Sequence, residues 1–138
     1  MTNGNFEIYL IRTDIMKIVI DGFGGDNAPD EVLKGAAMAV EQLGTDIAVT
    51  GDTELLRTRM KELGIPEKGI ELVPANGVIT TEDNPRSILK EKADTSMGAA
   101  FRMLADGKAD AAISAGSTAA IVIGGTMIEK RIKGVKRT

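Results

Sequence analysis

The 138-residue chain contains no cysteine, no histidine and no tryptophan. Without cysteine there is no disulfide. Without histidine as well, this stretch excludes zinc and iron–sulfur sites built on those ligands, the Cys–His dyad and the Ser–His–Asp triad. Any general base here is a carboxylate or a lysine, or comes from outside the chain. Aromatic residues make up only 3%, which argues against an aromatic-lined pocket. The net charge of -3 and pI near 5.0 lack the basic excess of a phosphate-neutralising nucleic-acid binder. Long apolar runs are missing too. The longest weakly apolar stretch, Ser117 to Ile128, falls well short of the ~20 residues of a membrane-spanning helix. The opening MTNGNFEIYLIRTDI has no basic start, long apolar run or small-residue cleavage site, so no secretory signal is expected and the expected location is cytoplasmic.

What is plentiful is glycine, with 16 residues, within a chain that is 43% hydrophobic and 27% charged. These proportions describe one globular domain with tight backbone turns. Met16 begins MKIVIDGFGGDNAP, which has the pattern of a domain start. Residues 1–15 then read as an extension or an upstream start, and alternatively as an extra strand from Glu7 to Arg12. From Met16 onward, strands are expected at Lys17–Asp21, Asp46–Thr50, Gly69–Pro74 and Ala109–Ser114. Helices are expected between them. The first is capped by Asp26 or Asn27 and carries Val32, Leu33, Ala36, Ala37, Val40 and Leu43 at helical spacing, up to Gly44. The second starts at Asp52 or Thr53, turns Leu55, Leu56, Met60 and Leu63 inward, and stops at Gly64. Pro85 opens a short helix to about Glu91, Asp94 or Thr95 caps another carrying Met97, Ala100, Phe101 and Leu104, and a last helix runs from Ala119 to about Arg131. Met38, Met60, Met97 and Met103 are expected to fill or border the core. Strand–helix alternation of this kind predicts a three-layer α/β/α fold with a mostly parallel sheet. The sheet ends on a helix and a basic tail, KRIKGVKRT, so a truncated protein is expected.

Two glycine-bearing strand ends are candidate sites. Asp21-Gly22-Phe23-Gly24-Gly25-Asp26 follows the first strand, where glycines let a ligand approach backbone N–H groups at a helix start. It is not the G-x-G-x-x-G dinucleotide fingerprint, because Asn27 occupies the sixth position. A tight turn that uses glycine for packing explains it equally simply. Ser114-Ala115-Gly116-Ser117-Thr118 follows the fourth strand and brings hydroxyls and N–H groups to another helix start. The alternative there is an ordinary helix cap, and the missing Gly-Lys-Ser/Thr argues against a P-loop. Both loops lie at the carboxyl ends of parallel strands, where such sheets bind ligands. The candidate phosphate- or substrate-binding residues are therefore Gly24, Gly25, Asn27, Ser114, Gly116, Ser117 and Thr118. Arg86 and Ser96 join them from the Thr80–Ser96 connection, where Lys90 and Lys92 also read as a solvated face. Asp21, Asp26 and Lys92 are the candidate catalytic groups. No metal site and no cofactor are expected.

The order of these motifs resembles the start of the bacterial phosphate acyltransferases of phospholipid synthesis, the PlsX family. The resemblance runs through MKIVIDGFGGDNAP, Val49-Thr50-Gly51-Asp52, Pro85 to Met97, Ala109 to Thr118 and Gly134-Val135-Lys136-Arg137. It implies a fold like those of isopropylmalate dehydrogenase and phosphotransacetylase, and attack of inorganic phosphate on a long-chain acyl–acyl carrier protein to give acyl phosphate. It also implies a homodimer, acyl carrier protein as partner, and peripheral membrane contact through a portion not in this chain. Phosphate is then its own nucleophile, so no acylated Ser or Cys is needed. The family usually has His where this chain has Asn27, Asn-Thr-Gly where it has Ser117-Thr118-Ala119, and Lys and Ser where Ala93 and Thr95 stand. The rival expectations are a phosphotransacetylase-like or dehydrogenase-like enzyme on the same fold, and a non-catalytic anion-binding fragment. On its own the chain is expected to be inactive.

Overall fold

A computed structural model describes residues 15–135. Four strands and four α-helices alternate: β1 (Lys17–Asp21), α1 (Asp30–Leu43), β2 (Asp46–Gly51), α2 (Thr53–Leu63), β3 (Ile70–Pro74), α3 (Ser96–Ala105), β4 (Ala111–Ile113) and α4 (Thr118–Gly124). A 3₁₀ helix, Pro85–Leu89, stands between β3 and α3. The proposed strand Glu7–Arg12 lies outside the described residues.

The sheet is wholly parallel, in the order β3-β2-β1-β4. β1 is central, with Ile20 in register with Val49 on one side and Ile113 on the other. Successive side chains on β1 point to opposite faces, and the core divides accordingly. Ile18 and Ile20 pack with Leu33, Ala36, Ile47, Val49, Leu56 and Met60 beneath α1 and α2. Val19 faces the other way, with Ala48, Ala100 and Ala109 beneath α3. A third cluster, Ile79, Ile88, Met97, Phe101 and Ala120, joins the 3₁₀ helix, α3 and α4 on that second side. The result is a three-layer α/β/α arrangement.

Helix ends follow local chemistry. The Asp52 carboxylate accepts the N–H groups of Glu54 and Leu55 and so starts α2. Gly44 and Gly64 end α1 and α2 in the left-handed conformation expected of a glycine stop. The start of α1 differs from expectation. Pro29 is its cap and no side chain caps it, so neither Asp26 nor Asn27 plays that part. The Asn27 carbonyl instead accepts the Glu31 N–H, and Asp30 and Glu31 place negative charge in the first turn.

Three apolar expectations also fail. Leu43 is 77% exposed, Met38 55% and Leu55 44%; α1 and α2 pack over β1, β2 and β3, and Leu43 borders the groove left between α1 and Ile113 of β4. β4 is shorter than Ala109–Ser114. Ala109 turns into the α3 cluster and Ser114 is diverted to a side-chain partner at β1. The last helix is α-helical only to Gly124 and π-helical over Gly125–Lys130. At that change the chain lies on Phe101, and a Cβ at Gly124 would stand 2.6 Å from the ring.

Candidate functional site

The chain leaves β1 toward α1 on one face and leaves β4 toward α4 on the other. β1 and β4 are neighbours, so their carboxyl ends form the switch point at which an open parallel sheet splays and admits a ligand. The two glycine-bearing loops meet there.

Their junction is a hydrogen-bonded relay. Asp21, the last residue of β1, is 1% exposed. One of its carboxylate oxygens accepts the Ser114 hydroxyl at 2.8 Å, and the other accepts the Phe23 N–H at 3.2 Å. Ser114 Oγ in turn accepts the Gly116 N–H at 3.1 Å. A buried carboxylate needs such donors, and the hydroxyl satisfies both neighbours by donating to one and accepting from the other. The relay therefore fixes the start of the α4 loop against the end of β1.

The glycines serve this contact. A Cβ at Gly24 would lie 2.5 Å from Asp21 Oδ2 and 2.7 Å from Ser114 Oγ. Gly25 has φ +107°, a conformation that side chains rarely adopt, and a Cβ there would meet Ala115 at 3.2 Å. On the facing loop, a Cβ at Gly116 would come within 3.4 Å of the Gly24 backbone and 2.9 Å of Met97. Backbone meets backbone here because no side chain intervenes.

The remaining candidates are placed as follows. Ser117 caps α4, is 5% exposed, and accepts the Ala120 N–H at 3.4 Å. Thr118 is exposed at the first position of the helix, and Asp26 and Asn27 are exposed beyond Gly25. Ser96 is wholly buried at the start of α3, its hydroxyl without a hydrogen-bond partner and its carbonyl accepting Thr50 Oγ1 at 2.6 Å. Arg86 is exposed, and its N–H is used to cap the 3₁₀ helix through Asn84. Lys92 is engaged elsewhere. Its ammonium donates to Asp83 at 2.8 Å and to the Val78 carbonyl at 3.2 Å, closing the 78–92 connection on itself. The Lys92 ammonium and the two donors of Thr80 hold the Asp83 carboxyl down at about 2. Asp21, Gly24, Gly25, Ser114 and Gly116 thus form one cluster, whereas Lys92 belongs to a separate ion pair.

Thr50 was not among the sequence candidates. Its hydroxyl ties the end of β2 to the start of α3, and its carbonyl accepts the Gly22 N–H at 2.9 Å. A lone hydroxyl ending an otherwise apolar strand was its signal.

In an open parallel α/β sheet, ligands bind in the crevice outside the carboxyl ends of the strands, at a switch point such as this one. A family model described as "Fatty acid synthesis protein" matches residues 16–138, and the chain belongs to that family. It is 42% identical over 122 residues to a phosphate acyltransferase of Clostridioides difficile strain 630, a match covering 88% of this chain and 36% of that protein. It is 38% identical over 122 residues to a phosphate acyltransferase of Thermotoga neapolitana, covering 88% of this chain and 34% of the relative. A phosphate acyltransferase of Halothermothrix orenii is 35% identical over 123 residues, with 88% and 37% covered. The chain spans little more than a third of the length of these relatives. Among the described residues, no helix is long and apolar enough to cross a membrane.

Proposed function

We propose that this chain forms the switch-point portion of a phosphate acyltransferase acting on long-chain acyl–acyl carrier protein. An oxygen of hydrogen phosphate attacks the thioester carbonyl, the carbon–sulfur bond breaks, and the phosphate proton leaves with the carrier-protein thiolate. The products are acyl phosphate and free carrier protein. The observation that carries this reading is the closed contact between the Gly24–Gly25 loop and the Ser114–Gly116 loop. Gly24 and Gly25 carry no side chain to keep an anion from the main chain there. No residue is acylated, so a chain without cysteine or histidine suffices for the chemical step.

Asp21 acts here as a positioning residue. It holds Ser114, and through it the Gly116 N–H, at the foot of the loop. Asn27 and the exposed Thr118 hydroxyl supply neutral polar groups at the rim. Arg86 and Lys90 are exposed and without a salt-bridge partner among the described residues, and they offer charge to an acidic carrier protein. The protein works in the cytoplasm as a homodimer, with membrane contact through polypeptide outside this chain.

The test replaces the matched stretch of the C. difficile relative by residues 16–138. Hydroxylamine trapping then reads acyl phosphate formed from phosphate and a long-chain acyl–acyl carrier protein. The chimera is expected to be active, and Gly24→Val to abolish turnover. Activity only with acetyl-coenzyme A and phosphate, or only with a nicotinamide cofactor, would overturn the reading. Residues 1–138 alone are expected to give no turnover.

A further inference from the structure

The Gly24–Asn27 loop is tied differently at its two ends. At the β1 end, the Asp21 carboxylate accepts the Phe23 N–H and the Thr50 carbonyl accepts the Gly22 N–H. Both acceptors belong to buried residues. At the α1 end the anchorage is thinner. No side chain from Gly24 to Pro29 makes a hydrogen bond among the described residues, and α1 starts without a side-chain cap. The backbone closes one long turn there, from the Ala28 N–H to the Gly25 carbonyl at 3.3 Å, and the Glu31 N–H meets the Asn27 carbonyl at 3.2 Å. The apolar contacts that hold α1 on the sheet begin only at Val32 and Leu33.

One charged contact reaches this gap. Asp30, the first residue of α1, receives Arg59 of α2 at both carboxylate oxygens, from Nε at 2.9 Å and from Nη2 at 2.5 Å. Nη1 donates to Glu62, three residues on along α2, so Arg59 is held on its own helix while it grips the other. A two-pronged contact fixes the carboxylate in orientation as well as in distance, which a single ammonium does not. The pair is half-buried, with side chains 34% and 33% exposed. Arg57 provides the contrast. It makes one bond, to Glu67 on the connection into β3, with side chains 57% and 49% exposed.

The Arg59–Asp30 contact adjoins the loop directly. Arg59, Asp30, Ala28 and Asn27 border one hollow on the surface. Asp30 stands three residues past Asn27, and Pro29 between them restricts the backbone. A shift in the first turn of α1 therefore carries Asn27 with it and, through the Ala28–Gly25 turn, Gly25 as well.

We propose that Arg59 is a positioning residue: by gripping Asp30 it fixes the first turn of α1, and thereby the Gly25–Asn27 rim against which phosphate binds. The role rests on the phosphate acyltransferase reading above. Arg59 acts through Asp30 and not on a reactant. It holds the rim in the binding geometry before phosphate arrives, so that binding does not have to order the loop.

The test has two arms. In this chain, hydrogen exchange is followed at the Ala28 and Glu31 amides, with the β1 amides as the internal reference. Arg59→Met is expected to speed exchange at least threefold at Ala28 and Glu31 without changing β1, and Arg57→Met to leave all of them as they are. In the chimera described above, Arg59→Met is expected to raise KM for phosphate at least threefold, with kcat and the KM for acyl–acyl carrier protein little changed. Arg59→Lys should behave like Arg59→Met in both arms, because it keeps the charge and loses the fork. Unchanged exchange at Ala28 and Glu31 in Arg59→Met overturns the proposal. So does a KM for phosphate that does not move in an active chimera, or full rescue by Arg59→Lys, which would make the effect one of charge alone. An inactive parent chimera counts against the acyltransferase reading, and the exchange arm still decides whether Arg59 fixes the rim.

Discussion

The β1–β4 junction and the Thr80–Ser96 connection both carry acidic and basic or hydroxyl side chains near glycine or proline, yet they are held by different forces. At the junction a carboxylate that is 1% exposed is satisfied by a hydroxyl and a backbone N–H, and the glycines beside it have no room for a side chain. In the connection, Asp83 and Lys92 pair with partly exposed side chains, in contact with water. Buried polar contacts are costly to break because the remaining group is left without water or partner. Solvated ion pairs exchange one set of favourable contacts for another. Close packing therefore governs the first region and local ion pairing the second.

The largest effect should come from crowding the junction. Gly24→Val forces a branched side chain onto Asp21 and Ser114, and about 3 kcal/mol of destabilisation is expected from overpacking together with loss of the relay. Urea unfolding would show this as a lower midpoint with little change in slope. A variant as stable as the parent would mean that the loops part easily, and the contrast with the connection would disappear.

Ser114→Ala should cost less, roughly 1–3 kcal/mol, because it leaves one Asp21 oxygen buried without its donor. The double variant with Asp21→Asn should lose less than the sum of the two single changes, since both act on one contact. Strict additivity in the same unfolding series would show that the 2.8 Å bond contributes nothing to stability.

Between these regions and the helix termini, Asp52→Ala is expected to cost about 1 kcal/mol by freeing two N–H groups at the start of α2. For a domain of this size, thermal melting should fall by roughly 4 °C.

The smallest effect belongs to the connection and depends on pH. Asp83 lies at about 2 in the folded chain against an ordinary value of 3.8, mainly through its bond to Lys92. A lowered carboxyl stabilises the fold fully above its unfolded value and loses that contribution as pH falls through the folded value. Stability from this pair should therefore be flat above about pH 4 and decline from there toward pH 2. The Asp83 carboxyl, followed by NMR, should titrate near 2 in the parent chain and return toward 3.8 in Lys92→Met. Titration at the ordinary value in both would remove the ion pair from the comparison.

Much of the fold was legible in residue order. β-branched runs ending in glycine marked β1 and β2, Asp52 and Gly64 bounded α2, and Met97, Ala100 and Phe101 at helical spacing form the buried side of α3. The candidate site was legible as two loops at strand ends. The relay between them was not, because Asp21 and Ser114 stand 93 positions apart and nothing local couples them. Leu43 was misplaced for a related reason. Helical spacing identifies one face of α1 but not how far the sheet beneath it extends.

The sequence by itself determined the class of fold, the helix stops and the residue types available for chemistry, because these depend on backbone propensity and on side chains within a few residues. Only the tertiary structure decided that β4 lies beside β1 and that Lys92 closes its own connection. The same holds for the groove left open along α1. Each of these depends on which distant segments come to share a surface, and contacts of that range are set by burying apolar faces together.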